Sequence, residues 1–527
     1  MQLRGDQLSL GSGKGYHPWR LLVLIGLIAG GVFLLQQREV GQIQPLFLAT
    51  PTATRTVRSF QEEAQAYISS GNLPGAISSY QEALKHDPNN ADLWAQLARI
   101  QTYYSALQAN HVDTLSQLSD ARQSIDRASK LAPDDGFVQA IRGRVYDWSA
   151  SAYQGDNKGL FDQFLTEADQ SVNIARNLEP NNALAQAYLA EVQVDQGNYL
   201  TAYDSAKAAV DSIESSGQMG EGGLDAIDAY WVFGIVAENN GDYTSAIKSY
   251  EKGVQINPNL TFLYLRIGAN YRRLAANATN LVERTQLVDQ SLSAFDRAAK
   301  INTQNKIQDP TPYLSIGRTY MQEGEFFIAA RNVETAVLLD PSNPALYGFL
   351  GEVYYRARNY ESSLLVLKCS VSGCDAHENG DLLCNKIQIV LCNDPTKTVD
   401  DYGHNVTGLP LASDSLEYYY TYASALAFLA GSPGYENNCS IADGIFQQLM
   451  AGYGDDPTVA AIVSDNQAIC AEVEAGGPPA ATPAGTPTST ASPTSTPAGL
   501  RPGSTPELPT PSSTPTEAPT PLSVPNS

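Results

Sequence analysis

The sequence predicts an all-α protein made of stacked helical hairpins, an α-solenoid. The first observation is a repeated stretch, because "GNLPGAISSYQEALKHDPNN" at 71–90 returns almost unchanged as "GDYTSAIKSYEKGVQINPN" at 241–259. The second is the 34-residue period that relates 57–90 to 227–260 and 310–343. The third is helical periodicity on both sides of a glycine-containing break in each unit. A single hairpin of this kind cannot bury its apolar face, so neighbouring units must stack.

The residue types at the repeated positions explain why each unit forms a hairpin. Small residues such as Ala64, Ala76 and Ala83 allow two antiparallel helices to approach closely, and aromatic residues such as Tyr80 fill the groove between hairpins. Pro88 ends the unit, because a proline disfavours the α conformation of the preceding residue. The breaks, such as Gly71-Asn72, separate the two helices of one hairpin.

These spacings resemble the tetratricopeptide repeat (TPR). The resemblance covers 57–370 as eight units, each marked by the alanine of its second helix and, in most units, by a closing proline. It implies a TPR superhelix that binds partner proteins along a concave wall made by the first helices. After an insert, helical periodicity returns at 413–475, which we expect to form a degenerate ninth hairpin and a capping helix.

Three units are longer than the family pattern. The first-helix small residue and the closing alanine are 19 residues apart from Ala64 to Ala83, but 30 or 32 residues apart in the second, third and sixth units. The excess equals about three helical turns. We therefore expect taller hairpins in which both helices extend and protrude from one edge of the solenoid. The pairs concerned are Ala98 and Ala128, Gly143 and Ala175, and Gly268 and Ala298.

The resemblance also indicates which side chains face the concave wall of the last units. Four of them are arginines, which bind carboxylates through two parallel hydrogen bonds. They predict a groove for a protein segment that carries acidic groups or a free C-terminus; the alternative is that the arginines only balance nearby Asp and Glu. The Lys/Asn/Arg clamp of chaperone-binding TPR domains is not reproduced. The groove residues are Phe262, Leu265, Arg272, Arg273, Leu314, Arg318, Met321, Tyr355 and Arg356.

Both ends of the chain differ from the repeats. Residues 21–35 are an unbroken apolar run, which predicts a transmembrane signal anchor over 21–37 or, alternatively, a cleaved signal peptide. We favour the anchor, with 1–20 in the cytoplasm, 38–56 as a linker and most of the chain outside the cytoplasmic membrane as a single-pass protein. The segment 476–527 is rich in Pro, Thr and Ser and predicts a disordered tail.

The segment 371–412 is a cysteine-rich insert, and all six cysteines of the chain follow residue 368. An even number of cysteines in an exported region predicts disulfides, whereas no Cys-x-x-Cys pair supports zinc. The alternating stretch "KIQIVL" at 386–391 predicts a short strand. The disulfide candidates are Cys369, Cys374, Cys384, Cys392, Cys439 and Cys470.

The net charge of the chain and its lack of known catalytic motifs limit the classes of function that the sequence predicts. A net charge of −23 disfavours nucleic acid as a partner, and we find no nucleotide-binding or hydrolase motif. The sequence therefore predicts a non-catalytic protein-interaction scaffold with no cofactor, metal or evident small-molecule substrate. One alternative is an envelope enzyme or polysaccharide-handling protein with its site near His377 and His404 of the insert. Another is a structural spacer.

Overall fold

Helices account for almost all regular structure in the part of the chain that the computed structural model describes. The described residues are 18–39, 55–108, 111–154, 157–217, 223–387, 392, 394 and 396–476. Within them, the only extended pairing is a single antiparallel bridge between Cys374 and Val406. The prediction of an all-helical fold is therefore confirmed for these residues.

The helices after the first one form successive hairpins. Eight hairpins precede the insert, and a ninth with one further helix follows it, as the sequence predicts. The helices are α1 (Pro18–Glu39), α2 (Val57–Ser70), α3 (Leu73–His86), α4 (Ala91–Ser105), α5 (His111–Leu131), α6 (Gly136–Ser151), α7 (Lys158–Leu178), α8 (Ala183–Asp195), α9 (Tyr199–Ser216), α10 (Leu224–Asn239), α11 (Tyr243–Ile256), α12 (Thr261–Asn277), α13 (Leu281–Asn305), α14 (Thr311–Gln322), α15 (Phe326–Leu339), α16 (Pro344–Arg356), α17 (Tyr360–Val371), α18 (Ala376–Asp381), α19 (Leu416–Leu429), α20 (Asn438–Tyr453) and α21 (Pro457–Glu474).

The turn inside the first hairpin shows how the sequence breaks one helix and starts the next. Gly71 ends α2 with a positive φ of 82°, a conformation that favours glycine. The Asn72 side chain then accepts a hydrogen bond of 2.9 Å from the Gly75 amide and caps α3. The glycine breaks read from the sequence are thus helix ends.

The small residues of the repeat mark close helix contacts. Ala64, Ala76 and Ala83 have no exposed surface. A Cβ atom at Gly234 would lie 2.4 Å from the ring of Tyr250 in the paired helix, so only glycine fits there.

The three long units extend mainly through their second helices. Helices α5, α7 and α13 have 21, 21 and 25 residues, compared with 14 in α3. The first helices α4, α6 and α12 have 15, 16 and 17 residues, compared with 14 in α2. Both helices of each long unit are therefore longer than those of the first unit, but most of the extra length lies in the second helix.

The array closes back on itself. The last three residues of α2 accept hydrogen bonds from side chains about 190–235 residues away in sequence: Asn257 to the Ile68 carbonyl, Asn259 to the Ser69 carbonyl and Asn305 to the Ser70 carbonyl, at 3.0, 2.9 and 2.5 Å. A Cβ atom at Gly71 would lie 1.9 Å from the Asn259 carbonyl oxygen, so the contact also requires glycine. The first unit therefore packs against the segments that end α11 and α13.

A buried charge network lies at the centre of this closed turn. Helices α4, α6, α8 and α10 pack in sequence and direct five side chains to one point. The Asp228 carboxylate accepts hydrogen bonds from Arg99 Nε at 2.9 Å, from Tyr188 at 2.5 Å, and from Arg144 and Tyr103. The side chains of both arginines and of Asp228 are fully buried.

The carboxylates of Asp228 and Asp225 balance the positive charges of Arg99 and Arg144 in this network. Burial alone would raise the pKa of Asp228, but Arg144 and Arg99 hold it below its ordinary value. Arg99 also contacts Asp225 at 2.9 Å. The network thus fixes the first helices of the second to fifth units around one carboxylate.

The insert and the following helices carry the cysteines, and all six are paired. The pairs are Cys369–Cys374, Cys384–Cys392 and Cys439–Cys470. The last pair joins α20 to α21; the capping role of the final helix stays a prediction. In the described residues no group of three or more metal-ligating side chains could hold a metal ion.

The predicted strand at 386–391 is wrong where the structure describes it. Lys386 and Ile387 belong to a π-helical turn that continues α18 over Leu382–Ile387. The remaining positions, 388–391, lie outside the described residues. Leu382 and Leu383, which begin this turn before the predicted strand, are both buried against the last repeats. Two consecutive buried side chains suit a helical turn, because successive side chains of a strand point to opposite faces.

The N-terminal apolar run forms α1, and its side chains from Leu21 to Phe33 are exposed. No helix in the described part of the chain reaches the length and apolarity of a membrane span. The anchor over 21–37 stays a prediction. Most of the linker 38–56 and all of the predicted tail beyond Gly476 lie outside the described residues.

We predict that Asp228→Asn destabilises the protein by about 3–5 kcal/mol, because it removes the one carboxylate that Arg99 and Arg144 share and leaves two buried arginines with only Asp225 and the more distant Glu191 nearby. Chemical denaturation followed by circular dichroism measures the change. The matched control is Asp204→Asn on the exposed face of α9, which should alter the unfolding free energy by less than about 0.5 kcal/mol. Equal effects of the two variants would contradict a central role for Asp228.

Candidate functional site

The predicted groove residues lie on the first helices α12, α14 and α16 of the sixth to eighth units. They differ in exposure. Phe262 and Leu314 are buried, Leu265, Met321 and Tyr355 are half-buried, and Arg318 and Arg356 are exposed.

Phe262 belongs to the interior of the closed turn. Its ring stacks on Tyr103 with centroids 5.0 Å apart and meets Trp231 edge-on at 4.8 Å. The family geometry places this position on an open concave wall, but the return of the array covers it. Phe262 therefore packs against the protein itself.

Two of the four predicted arginines are paired with carboxylates. Arg273 lies 3.1 Å from Glu238, which also accepts hydrogen bonds from Tyr250 and Asn270. Arg356 lies 3.0 Å from Glu352 and 3.3 Å from Glu417. The alternative of local charge balance describes these two arginines well.

Arg272 and Arg318 are different. The ion pairs of this region, among the described residues, involve Arg266, Arg273, Arg284 and Arg356 but neither of these two. Arg272 donates a 3.3 Å hydrogen bond to the Ser315 carbonyl and lies 5.8 Å from the ring centroid of Phe295. Arg318 lies over the ring of Phe349 at 5.4 Å. We call Arg272 and Arg318 the arginine pair.

The electrostatics of the arginine pair are unfavourable without a ligand. Burial, together with the neighbouring charges of Arg318 and Arg273, lowers the pKa of Arg272 to about 10. An anion placed beside the two guanidinium groups would relieve this repulsion. Perturbed charges of this kind are common at binding sites.

The arginine pair spans a boundary in the core. Helix α12 belongs to the hydrophobic cluster that runs from Phe60 to Ala294, whereas α14 belongs to a second cluster that runs from Leu314 to Val406. The surface that carries the pair is therefore formed where the closed turn ends and the last repeats begin.

A buried carboxyl lies close to this surface. Burial, followed by the neighbouring charge of Glu417, raises the pKa of Glu352 to about 7, although Arg356 opposes the shift. Glu352 lies on α16 and Glu417 on α19, so the interaction joins the eighth unit to the ninth.

The histidines of the insert form no catalytic arrangement in the described residues. The His377 ring contacts the Asp400 carboxylate at 2.6 Å, and both side chains are exposed. This hydrogen bond raises the pKa of His377. His404 is exposed, and its backbone amide donates to the side chain of Asn379.

Sequence reasoning missed two features of the first half of the array: the Asp228 network and a group of buried carboxyls near it. A signal was present, because Arg99, Arg144, Glu191 and Asp228 interrupt otherwise apolar first helices. An ionisable residue on a predicted core face requires a partner. Which residues supply it depends on how tightly the array curves, which the repeat pattern leaves open.

Family comparisons support the tetratricopeptide repeat. Models of the TPR repeat match residues 64–102, 227–260 and 314–368. These matches support membership of the TPR repeat family, whose members generally mediate protein–protein interaction and are typically not enzymes. A search of the curated proteins finds no match.

Solved structures of TPR proteins are similar at low identity. A TPR protein of Thermus thermophilus is 16% identical, covers 41% of this chain and 98% of its own, and gives a TM-score of 0.32. The human IFIT1 dimer with PPP-AAAA is 12% identical, with coverages of 75% and 83% and a TM-score of 0.39. YrrB, a TPR protein with an unusual peptide-binding site, is 16% identical, with coverages of 45% and 97% and a TM-score of 0.27. None of the three carries an argument about the ligands of this chain.

We predict that Glu352→Gln weakens the pH dependence of stability. In the wild type the folded state binds the Glu352 proton up to about pH 7, whereas the unfolded state releases it near the ordinary value of 4.5. The unfolding free energy should therefore fall as pH rises from about 5 to 7, and the glutamine variant should lose roughly 2 kcal/mol of this fall. Urea denaturation at successive pH values measures the unfolding free energy of both proteins. If this free energy changes with pH in the same way in both, Glu352 is not the group responsible.

Proposed function

We propose that this protein is a non-catalytic interaction scaffold that binds an extended, acidic segment of a partner protein. The observation that carries the proposal is the arginine pair, which has no carboxylate partner among the described residues although the chain is strongly acidic overall. Guanidinium groups bind carboxylates with two parallel hydrogen bonds.

The surroundings of the arginine pair suit a peptide. Met321 and Tyr355 are half-buried on the same series of first helices and offer apolar contacts. Because Phe262 is covered by the closed turn, the proposed surface is limited to α12, α14 and α16. It is therefore shorter than the groove that the family geometry implies.

We further propose that the array is displayed outside the cytoplasmic membrane from an anchor over 21–37. The support is the apolar run itself, the pairing of all six cysteines and the Pro/Thr/Ser-rich composition of the tail. Disulfides form and persist mainly in oxidising compartments.

The first test uses a fluorescent peptide of alternating glutamate and leucine. We expect the full-length chain to bind this peptide more tightly than the same peptide with glutamine in place of glutamate. The double variant Arg272→Gln/Arg318→Gln should weaken binding by about 10- to 100-fold, because it removes charge-assisted hydrogen bonds. Fluorescence anisotropy measures the affinity.

The matched control is Arg331→Gln, which removes an exposed arginine on the second helix α15. It should bind the glutamate peptide as the wild type does. Equal affinity for the two peptides, or equal loss in the control and the double variant, would contradict the proposed surface. A photo-crosslinking amino acid at position 318, compared with one at position 331, then identifies the partner in the host cell.

The second test asks whether the repeat array lies outside the cytoplasmic membrane. We predict that a cysteine introduced by Leu200→Cys, at a side chain that is 86% exposed, reacts with a membrane-impermeant maleimide in intact cells. Ser9→Cys, in the predicted cytoplasmic segment, should react only after the membrane is permeabilised. Protection of the Leu200→Cys position in intact cells would contradict display outside the membrane.

A further inference from the structure

A pocket of about 350 Å³ opens inside the closed turn, next to the Asp228 network. It lies where the first helices of the second to fifth units end, and one side chain of α12 completes it. We call it the carboxylate pocket, and its lining residues are Ser105, Ala106, Gln108, Thr114, Leu118, Asp147, Trp148, Ser151, Ala152, Glu191, Val194, Asp195, Ile235, Asn239 and Arg266.

Three of these side chains carry carboxyl groups. Asp147 comes from α6, and Glu191 and Asp195 come from α8. Asp147 and Glu191 are each only 3% exposed. In the described residues, Asp147 Oδ1 and Glu191 Oε2 are buried and have no hydrogen-bond partner. A buried oxygen without a partner costs free energy, which a bound ligand would recover.

The two buried arginines nearby are ion-paired with Asp228, although Arg99 Nη1 and Arg144 Nε and Nη2 have no hydrogen-bond partner among the described residues. Asp225 is a second partner of Arg99. Arg266 lies 3.1 Å from Glu238. Glu191 reaches Arg144 only at 3.8 Å. The pocket therefore contains more negative than positive charge.

Two further features favour a cation. Helices α4, α6, α8 and α10 all point their C-terminal ends at the pocket, and the negative end of a helix dipole attracts positive charge. The Trp148 ring lines the same space, and its Nε1 donates a 3.2 Å hydrogen bond to Glu191. Arg144 already lies 5.1 Å from the centroid of this ring, so the indole is in a position to contact cations.

We infer that the carboxylate pocket binds a small organic cation, an ammonium compound whose charged end lies among Asp147, Glu191 and Asp195. Its carbon chain would contact apolar walls that include Trp148 and Val194. The volume is at the lower end of the range for small-molecule sites. This pocket is separate from the arginine pair, so the inference is independent of the proposed partner segment.

The protonation behaviour of the carboxyls agrees with a missing cation. Burial, reinforced by Asp195 and Glu191, raises the pKa of Asp147. Burial raises the pKa of Glu191 to about 7 and that of Asp195 above its ordinary value. The charged or titratable groups that face Glu191 are Arg144 and Asp147 of α6, Asp195 of α8, Asp228 of α10, Tyr250 of α11 and Arg266 of α12.

A bound ammonium group therefore competes with protons. Binding should strengthen as pH rises from about 6 to 8, since the carboxylate form of Glu191 becomes available over this range. A neutral ligand of the same shape would show no such dependence.

The test measures binding of four amines, butylammonium, choline, putrescine and cadaverine, to the purified full-length chain by isothermal titration calorimetry. Butanol is the neutral control. We expect at least one amine to bind saturably and butanol not to bind. Absence of saturable binding by all four amines, or equal binding of butanol, would overturn the inference.

Variants locate the site. Asp147→Asn and Asp195→Asn should each weaken amine binding about 10- to 100-fold with little change in the melting temperature, because neither carboxyl forms an ion pair among the described residues and the amide oxygen of the Asp195→Asn variant can still accept the hydrogen bond from Ser151. Asp204→Asn on the outer face of α9 should bind normally, as should the variant Arg272→Gln/Arg318→Gln. Unchanged affinity in both pocket variants would overturn the assignment to this pocket.

Discussion

The carboxylate of Asp228 is the constraint around which the first helices of the second to fifth repeats are arranged. Its two oxygens accept hydrogen bonds from two arginines and two tyrosines that come from three other helices. A buried charge of this kind is tolerated only when every partner is in place. The network therefore joins α4, α6, α8 and α10 through one shared carboxylate and favours the tight curvature of this part of the array.

This tight curvature divides the concave side of the protein into two unlike regions. In the second to sixth units the inner helices meet, cover Phe262 and leave a small, negatively charged space. In the sixth to eighth units the inner surface carries exposed or half-buried arginines on aromatic rings. One fold thus combines an acidic interior pocket, where we propose a small cation binds, with a surface that carries the arginine pair, where we propose an acidic segment binds.

Much of the local structure could be predicted from the sequence, since it depends on neighbouring residues. The glycine breaks and closing prolines locate the helix ends, and the apolar stretches after the insert correspond to α19, α20 and α21. The burial of Phe262 was beyond prediction, because it depends on contacts with Tyr103 and Trp231 from other units. The same holds for Asp147 and Glu191, whose carboxyls come together only in the curved array. For the candidate surface, the pattern located the four arginines but did not distinguish Arg273 and Arg356, which are paired, from the other two.

The contact of Gly71 with the segment around Asn259 affects both how the number of repeats can change in evolution and how the chain folds during synthesis. Open solenoids gain or lose units easily, because each repeat touches only its neighbours. Here the first unit is bonded to residues near 257 and 305, so adding or deleting one internal repeat would shift the two ends of the ring out of register. During synthesis the first hairpin also emerges some two hundred residues before the segment that completes it, and such long-range contacts slow folding. The number of repeats in this half of the molecule is therefore fixed by geometry.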